Sequence, residues 1–208
     1  MGVKAVVFDA FGTVVQIQRP LHPFRQILKE GIRQGRRPKP DDIHDLMTQN
    51  LSLRAAADKF GIEIDQDKWG VIQRALDEEL ESIRPYPDGQ EAIELLQREG
   101  VQVGVCSNLA MAYGAAVKRL YPSLDAYGFS YEIGAMKPDP VIYKATCKLL
   151  GRTTSQVAMI GDSQKCDRDG PRAIGIKGFF LDRHGDGERA FKDLVTFARF
   201  VLIGMREK

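Results

Sequence analysis

Aspartate closes the first apolar run of the chain, in Phe8-Asp9-Ala10-Phe11-Gly12-Thr13. An aspartate placed there can attack an electrophile, ligate a metal or simply form a turn. Gly12 lets the backbone bend sharply behind it. Three further clusters offer matching chemistry. Cys106-Ser107-Asn108 brings a hydroxyl ahead of a helical pattern, and the N–H groups at a helix start suit an anion. Lys137-Pro138-Asp139-Pro140 brings a cation able to neutralise developing negative charge. Gly161-Asp162-Ser163, followed by Asp167, brings two acids five residues apart. Mg²⁺ takes one or two carboxylates, retained waters and substrate phosphate, so such a pair suits it. Read singly, each cluster is also what a turn, a helix cap, a loop lysine or a capping acid looks like.

The elements around these clusters give them a common address. Val3–Phe8 is a short continuous apolar run, as expected of a strand buried on both faces of a parallel sheet. Similar runs at Val101–Cys106, Phe129–Ile133, Val157–Ile160 and Ile176–Leu181 predict further strands. Helical patterns alternate with them. Asp88 and Glu91 predict a capping box for a helix carrying Ala92, Ile93, Leu95 and Leu96, with Gly100 as its stop. Asp139 and Pro140 predict the N-cap and first position of another, ended by Gly151. Alternating strands and helices predict an α/β fold with a doubly wound parallel sheet. Ligands of such sheets bind outside the carboxyl ends of the strands, where all four clusters fall.

Residues 16–85 differ. No clear strand appears there. Leu21, Phe24, Leu28 and Ile32 keep helical spacing, as do Ile43, Leu46, Met47 and Leu51, and as do Trp69, Ile72, Leu76, Leu80 and Ile83. The expectation is a helical insertion at 16–85 in a core made of residues 1–15 and 86–208. Seven basic residues and one acid, Glu30, lie between Arg19 and Lys39. They predict either mutually attracting solvated faces or steering of an anionic substrate by some of Arg19, Arg25, Arg33, Arg36 and Arg37.

Bulk properties exclude more than they assign. The chain has 208 residues and a net charge of +2, with no concentrated basic face for nucleic acid. No apolar run reaches the ~20 residues of a membrane span. The N-terminal run lacks a signal-peptide layout, and Val6 stands where a myristoylation motif needs Ser or Thr. Cys106, Cys147 and Cys166 show no metal spacing and suit a reducing cytoplasm. The expected partner is a small anionic molecule, with neither nucleic acid nor membrane, and the expected state is a monomer or homodimer.

Taken together, Asp9, Ser107-Asn108, Lys137 and Gly161-Asp162 with Asp167, each after a strand, resemble the haloacid dehalogenase superfamily over nearly the whole chain. Pro87-Asp88-Gly89, Ile142-Tyr143 after the lysine motif, and Gly170 to Gly175 extend the likeness. The resemblance implies that Asp9 attacks and forms a covalent intermediate. It implies that Ser107 and the Asn108 region hold the transferred group and that Lys137 stabilises Asp9 and the incoming anion. Mg²⁺ would sit on Asp9, Asp162 and the backbone carbonyl of Phe11, with Asp167 supporting it through water or orienting Lys137. The insertion is similar to the family's mobile cap, which covers the site and chooses the substrate.

The pattern departs from the family's phosphatases at Phe11. They usually carry a second aspartate there, which protonates the leaving group. An aromatic at that place resembles the metal-independent L-2-haloacid dehalogenase branch, whose halide leaves without a proton. Asp162 points the other way, because that branch typically has Ser there. An uncompensated buried carboxylate is costly, so Asp162 outweighs Phe11 and a Mg²⁺-dependent phosphatase is expected. A dehalogenase-like hydrolase and a ligand- or partner-binding protein with little turnover stay open.

Overall fold

Ala5–Phe8 and Val157–Gly161 are buried along their whole length, as strands covered on both faces must be. The structure is a computed structural model that describes residues 2–185 and 190–206. The expected core span also contains Met1, 186–189 and 207–208, which lie outside the described residues. In chain order the first half runs β1 (Ala5–Phe8), β2 (Val15–Ile17), α1 (Pro23–Arg33), α2 (Asp42–Thr48), α3 (Leu53–Phe60), α4 (Gln66–Glu81), β3 (Ile83–Pro85) and α5 (Pro87–Arg98). The second runs β4 (Gln102–Ser107), α6 (Met111–Leu120), β5 (Ala126–Phe129), α7 (Ser130–Ile133), α8 (Pro140–Leu149), β6 (Val157–Gly161), α9 (Gly170–Arg172), β7 (Lys177–Phe180) and α10 (Leu194–Arg206).

The main sheet is parallel, in the order β5-β4-β1-β6-β7. The chain steps outward from β1 through β4 to β5, then returns to the other side of β1 for β6 and β7. That reversal is the switch point at which α/β sheets open a crevice. Alternation along β1 sends Val6 and Phe8 to the face covered by α5, α6 and α10, and Ala5 and Val7 to the face covered by α8.

α1 to α4 enclose a separate apolar cluster of Phe24, Ile27, Leu46, Leu53, Trp69, Ile72 and Leu76. Ala110, Ala112 and Tyr113 at the start of α6 join it, so the inserted helices rest on the sheet's carboxyl edge. No helix among the described residues is long and apolar enough to cross a membrane.

Several expectations are corrected. The predicted strand at Phe129–Ile133 is instead β5 at Ala126–Phe129 followed by the helical turn α7. Gly128 hid the strand, because it interrupts the apolar run. It is there for space, since a Cβ would lie 2.0 Å from Thr146 Oγ1 on α8. The capping box does not form. Tyr86 is the N-cap of α5, and Asp88 sits in the first turn with its carboxylate turned toward Arg183 and the Leu194 N–H. Residues 16–85 do have strand at their borders, because β2 and β3 pair antiparallel with Val15 opposite Pro85 and Ile17 opposite Ile83. Three-residue strands carry too little periodicity to be read from sequence. α1 buries Phe24, Ile27 and Gly31, while Leu21 and Ile32 are exposed. The close approach of Ile62 to Gly31 turns that face inward. Ile43 is likewise exposed. Asp139, Pro140, Gly100 and Gly151 behave as read, the two glycines in the left-handed region.

Candidate active site

Asp9 continues β1 by one residue, its N–H donating to Ile160 O at 2.9 Å. The chain then folds back at once. Ala10 O accepts from the N–H groups of Thr13, Val14 and Val15, and Gly12 takes φ +81°. Phe8 pairs with Val105 and with Ile160, which sets Asp9 level with Cys106 on one side and Gly161 on the other. Ser107 and Asp162 therefore lie one step beyond Asp9 on the two neighbouring strands.

Lys137 reaches this edge from the loop after α7. Its Nζ donates to Asp9 Oδ1 at 2.7 Å and to Asp167 Oδ1 at 2.6 Å. All three side chains are buried. Asn108 fixes the lysine's backbone. Its Oδ1 accepts from Lys137 N at 2.7 Å and its Nδ2 donates to Lys137 O at 2.9 Å. The Asn108 side chain thus holds the lysine loop, where the sequence reading had it help hold the transferred group. Asp167 follows β6 on a turn of π-helix, Gln164–Asp169, and its Oδ2 accepts from Ser163 N at 2.9 Å. With Oδ1 on Lys137 and Oδ2 on Ser163, its contacts are those of a residue that orients the lysine.

Two glycines permit this crowding. A Cβ on Gly161 would meet Asp167 Oδ2 at 2.3 Å and Asp9 Cβ at 2.7 Å, and one on Gly12 would meet Asp162 Oδ2 at 2.1 Å. Asp9, Asp162 and Asp167 each present a carboxylate oxygen within 4.8 Å of the others. Three carboxylates against the one ammonium of Lys137 leave a formal charge of −2. Burial, then the Asp9 charge, push the Asp167 carboxyl up to about 6, with Lys137 pulling back. The same two causes raise Asp162, opposed by Lys137 and Arg183. Burial works against the Lys137 ammonium, but Asp9 and Asp167 outweigh it and hold the lysine above its ordinary range.

This donor set fits a divalent cation. Asp162 is exposed, where the sequence argument expected a buried carboxylate, so it is desolvated only in part; it has no ion-pair partner among the described residues, and Gly12 brings the Phe11-Gly12 turn against it. Asp9 and Asp162 could hold such an ion, with Asp167 in the same cluster; the Phe11 carbonyl is a ligand only as the family resemblance implies.

Ser107 is buried at the last position of β4. The expected helix does not open directly behind it. α6 begins at Met111, and the Leu109 N–H donates to Ser130 Oγ at 3.0 Å. Phe11 meets Tyr113 edge-on, with ring centroids 5.7 Å apart, and Tyr113 contacts Phe24 of α1. The Tyr113 hydroxyl donates to Glu79, a buried carboxylate on α4 that also accepts from the N–H groups of Leu21 and His22. Sequence reasoning missed Tyr113 and Glu79. One signal for Glu79 was available, since it continues the buried stripe Ile72, Leu76 at helical spacing. Of the arginines considered for steering, Arg36 is tied to buried Asp42 by both Nη atoms and Arg33 pairs with Glu30, whereas Arg19, Arg25 and Arg37 are exposed.

The model of the haloacid dehalogenase-like hydrolases matches residues 3–175. The chain belongs to that family. A phosphatase of Mycobacterium tuberculosis is 33% identical over 104 residues, covering 48% of this chain and 48% of that protein. The chain spans less than half the length of the curated relatives it matches. Among solved structures, a phosphatase of the family from Thermococcus onnurineus is similar with a TM-score of 0.70 at 22% identity, over 98% of this chain and 100% of that one. An L-2-haloacid dehalogenase is similar with a TM-score of 0.66 at 24% identity, over 96% and 100%. At such identity the likeness shows the fold, and both chemical branches of the family share it.

Proposed function

We propose that the protein is a Mg²⁺-dependent phosphatase acting on a small phosphorylated metabolite through Asp9. The observation that carries this reading is Asp162. It stands beside Asp9 with no ion-pair partner among the described residues, in a cluster of three carboxylates and one lysine whose formal charge is −2. A bound Mg²⁺ would neutralise that charge and draw a phosphate into the crevice.

Asp9 would attack phosphorus through a carboxylate oxygen. The new O–P bond forms as the bond to the leaving oxygen breaks, giving an aspartyl phosphate on Asp9. Water then attacks phosphorus, the bond to Asp9 breaks, and inorganic phosphate leaves. Lys137 holds Asp9 in line by the contact at Oδ1 and offsets negative charge as it develops. Asp167 and Asn108 keep Lys137 in place, and Ser107 is set to bind a phosphoryl oxygen. The inserted helices would cover the site and select the substrate. A screen of phosphorylated metabolites with and without Mg²⁺, run beside 2-haloacids, tests the proposal. Release of phosphate that depends on Mg²⁺ supports it.

A second reading rests on Phe11, which cannot donate a proton and packs against Tyr113 instead. Turnover of a 2-haloacid without metal would establish it and end the phosphatase reading. Binding of Mg²⁺ and phosphate with no turnover of either class would mark a ligand-binding protein.

Phe11 also shapes the phosphatase reading. General acid help is typically worth about 10²–10⁴-fold. Without it, alkoxide leaving groups suffer most. Acyl phosphates, aryl phosphates and phosphoanhydrides, whose anions are more stable, should be turned over faster than sugar phosphates. Phe11→Asp should flatten the dependence of rate on leaving-group pKa. Equal slopes for the two proteins would show that another group already supplies the proton.

A further inference from the structure

The turn behind Asp9 has two close neighbours. A Cβ at Gly12 would collide with Asp162, so this turn and the candidate metal ligand are in van der Waals contact. Arg183 stands just beyond β7. Its Nη2 donates to Thr13 O at 2.7 Å, its Nη1 donates to Asp88 Oδ2 at 2.8 Å, and its guanidinium lies 4.1 Å over the Tyr86 ring. The partners are themselves fixed. Asp88 Oδ2 accepts from Leu194 N at 2.9 Å at the start of α10. Tyr86 N donates to Val14 O at 2.9 Å, and the Tyr121 hydroxyl donates to the same oxygen at 2.8 Å.

The Thr13 side chain contributes nothing to this hold. Its Oγ1 is buried without a hydrogen-bond partner among the described residues, as is Arg183 Nε. The carbonyl of Thr13 is therefore anchored by the guanidinium. The turn's own backbone bonds to Ala10 O would remain without that anchor, but Gly12, at φ +81° and without a Cβ, allows the Thr13 carbonyl to shift within them. A planar fork can span Thr13 and Asp88 while standing over the Tyr86 ring, and a lysine cannot.

We infer that Arg183 is a positioning residue that fixes the Phe11-Gly12-Thr13 turn beside Asp162 and so sets the spacing of the groups that would hold Mg²⁺. The inference rests on the metal reading proposed above. Mg²⁺ demands near-ideal octahedral geometry, while Ca²⁺ tolerates a flexible cage. Loosening the turn should therefore penalise Mg²⁺ selectively.

Titration calorimetry of the full chain with Mg²⁺ and with Ca²⁺ tests this, on wild type, Arg183→Met, Arg183→Lys and Asp88→Asn, each checked for folding by a metal-free melt. Both Arg183 variants should bind Mg²⁺ about 10–100-fold more weakly, the usual effect of removing a residue that orients ligands. The ratio of Mg²⁺ to Ca²⁺ affinity should fall with it. Asp88→Asn should lower the ratio by a smaller factor, and it carries the test should Arg183→Met not fold. Wild-type affinity in Arg183→Lys would show that charge alone suffices and overturn positioning. An equal fall for both cations would also overturn it, as a mere loss of rigidity. Absence of Mg²⁺ binding in wild type would sink the metal reading and this inference together. Binding equal in wild type and Arg183→Met would sink the inference alone.

Discussion

Asp167 and Glu79 are both buried carboxylates near the carboxyl edge of the sheet, and their surroundings are opposite. Asp167 faces a buried ammonium that it shares with Asp9, and a third acid, Asp162, stands nearby with no ion-pair partner among the described residues. Among the described residues Glu79 faces neutral donors: the N–H groups of Leu21 and His22, and the Tyr113 hydroxyl. The first group is electrostatically incomplete and invites a cation and an anionic substrate. The second is complete in itself. It ties α4 and the start of α1 to α6, and it holds His22 in the left-handed region, with φ 55°. Phe11 connects the two, following Asp9 in the chain yet packing on Tyr113. The contrast separates a cluster in which charge does chemistry from one in which hydrogen bonds join two parts of the fold.

Substitutions can break the contrast at either end. Asp9→Asn is expected to abolish turnover of the natural substrate while the melt shows a folded protein. Wild-type rate in that variant would remove Asp9 as nucleophile. Lys137→Met keeps the aliphatic stem and removes the charge. Breaking a buried ion pair by deleting one partner costs about 3–5 kcal/mol, and denaturant unfolding should show a loss of that order. A loss below about 1 kcal/mol, the size of an exposed pair, would mean that Asp9 and Asp167 need no cation.

Saturating Mg²⁺ should raise the melting temperature. A ligand at one hundred times its dissociation constant adds about 2.7 kcal/mol, and Asp162→Ser should abolish the gain. A wild-type melt unmoved by millimolar Mg²⁺ would shift the weight to metal-independent chemistry. The smallest effect belongs to Glu79→Gln. The amide oxygen can accept from Leu21 and His22 while its NH₂ donates to a reoriented Tyr113 hydroxyl. The expected loss is therefore within about 1 kcal/mol, the net worth of one hydrogen bond. A loss as large as that of Lys137→Met would show that the Glu79 charge matters and that the two regions are less different than their partners indicate.

Much of the site was legible because its residues follow buried strands. A strand covered on both faces must be a continuous apolar run, so Ala5–Phe8 and Val157–Ile160 stand out, and the polar residues after them mark the edge of the sheet. Asp9, Lys137 and Asp167 are joined by direct contacts, and Asp162 stands among them. Asn108 lies at the same edge, and its side chain bonds to the backbone of Lys137.

Sequence by itself determined the apolar runs, the helix stops at Gly100 and Gly151, the cap at Asp139, and the identity of the charged groups at the sheet edge. These depend on neighbours in the chain, through backbone conformation and local hydrogen bonds. Tertiary structure alone decided that Gly128 belongs to a strand, that Asp88 serves Arg183 rather than its own helix, and that Phe11 is an aromatic contact for Tyr113. It also decided that Arg183, 170 positions from Thr13, holds the turn behind the nucleophile. Such contacts join residues whose separation along the chain says nothing of their distance in space, and no local period or motif records them.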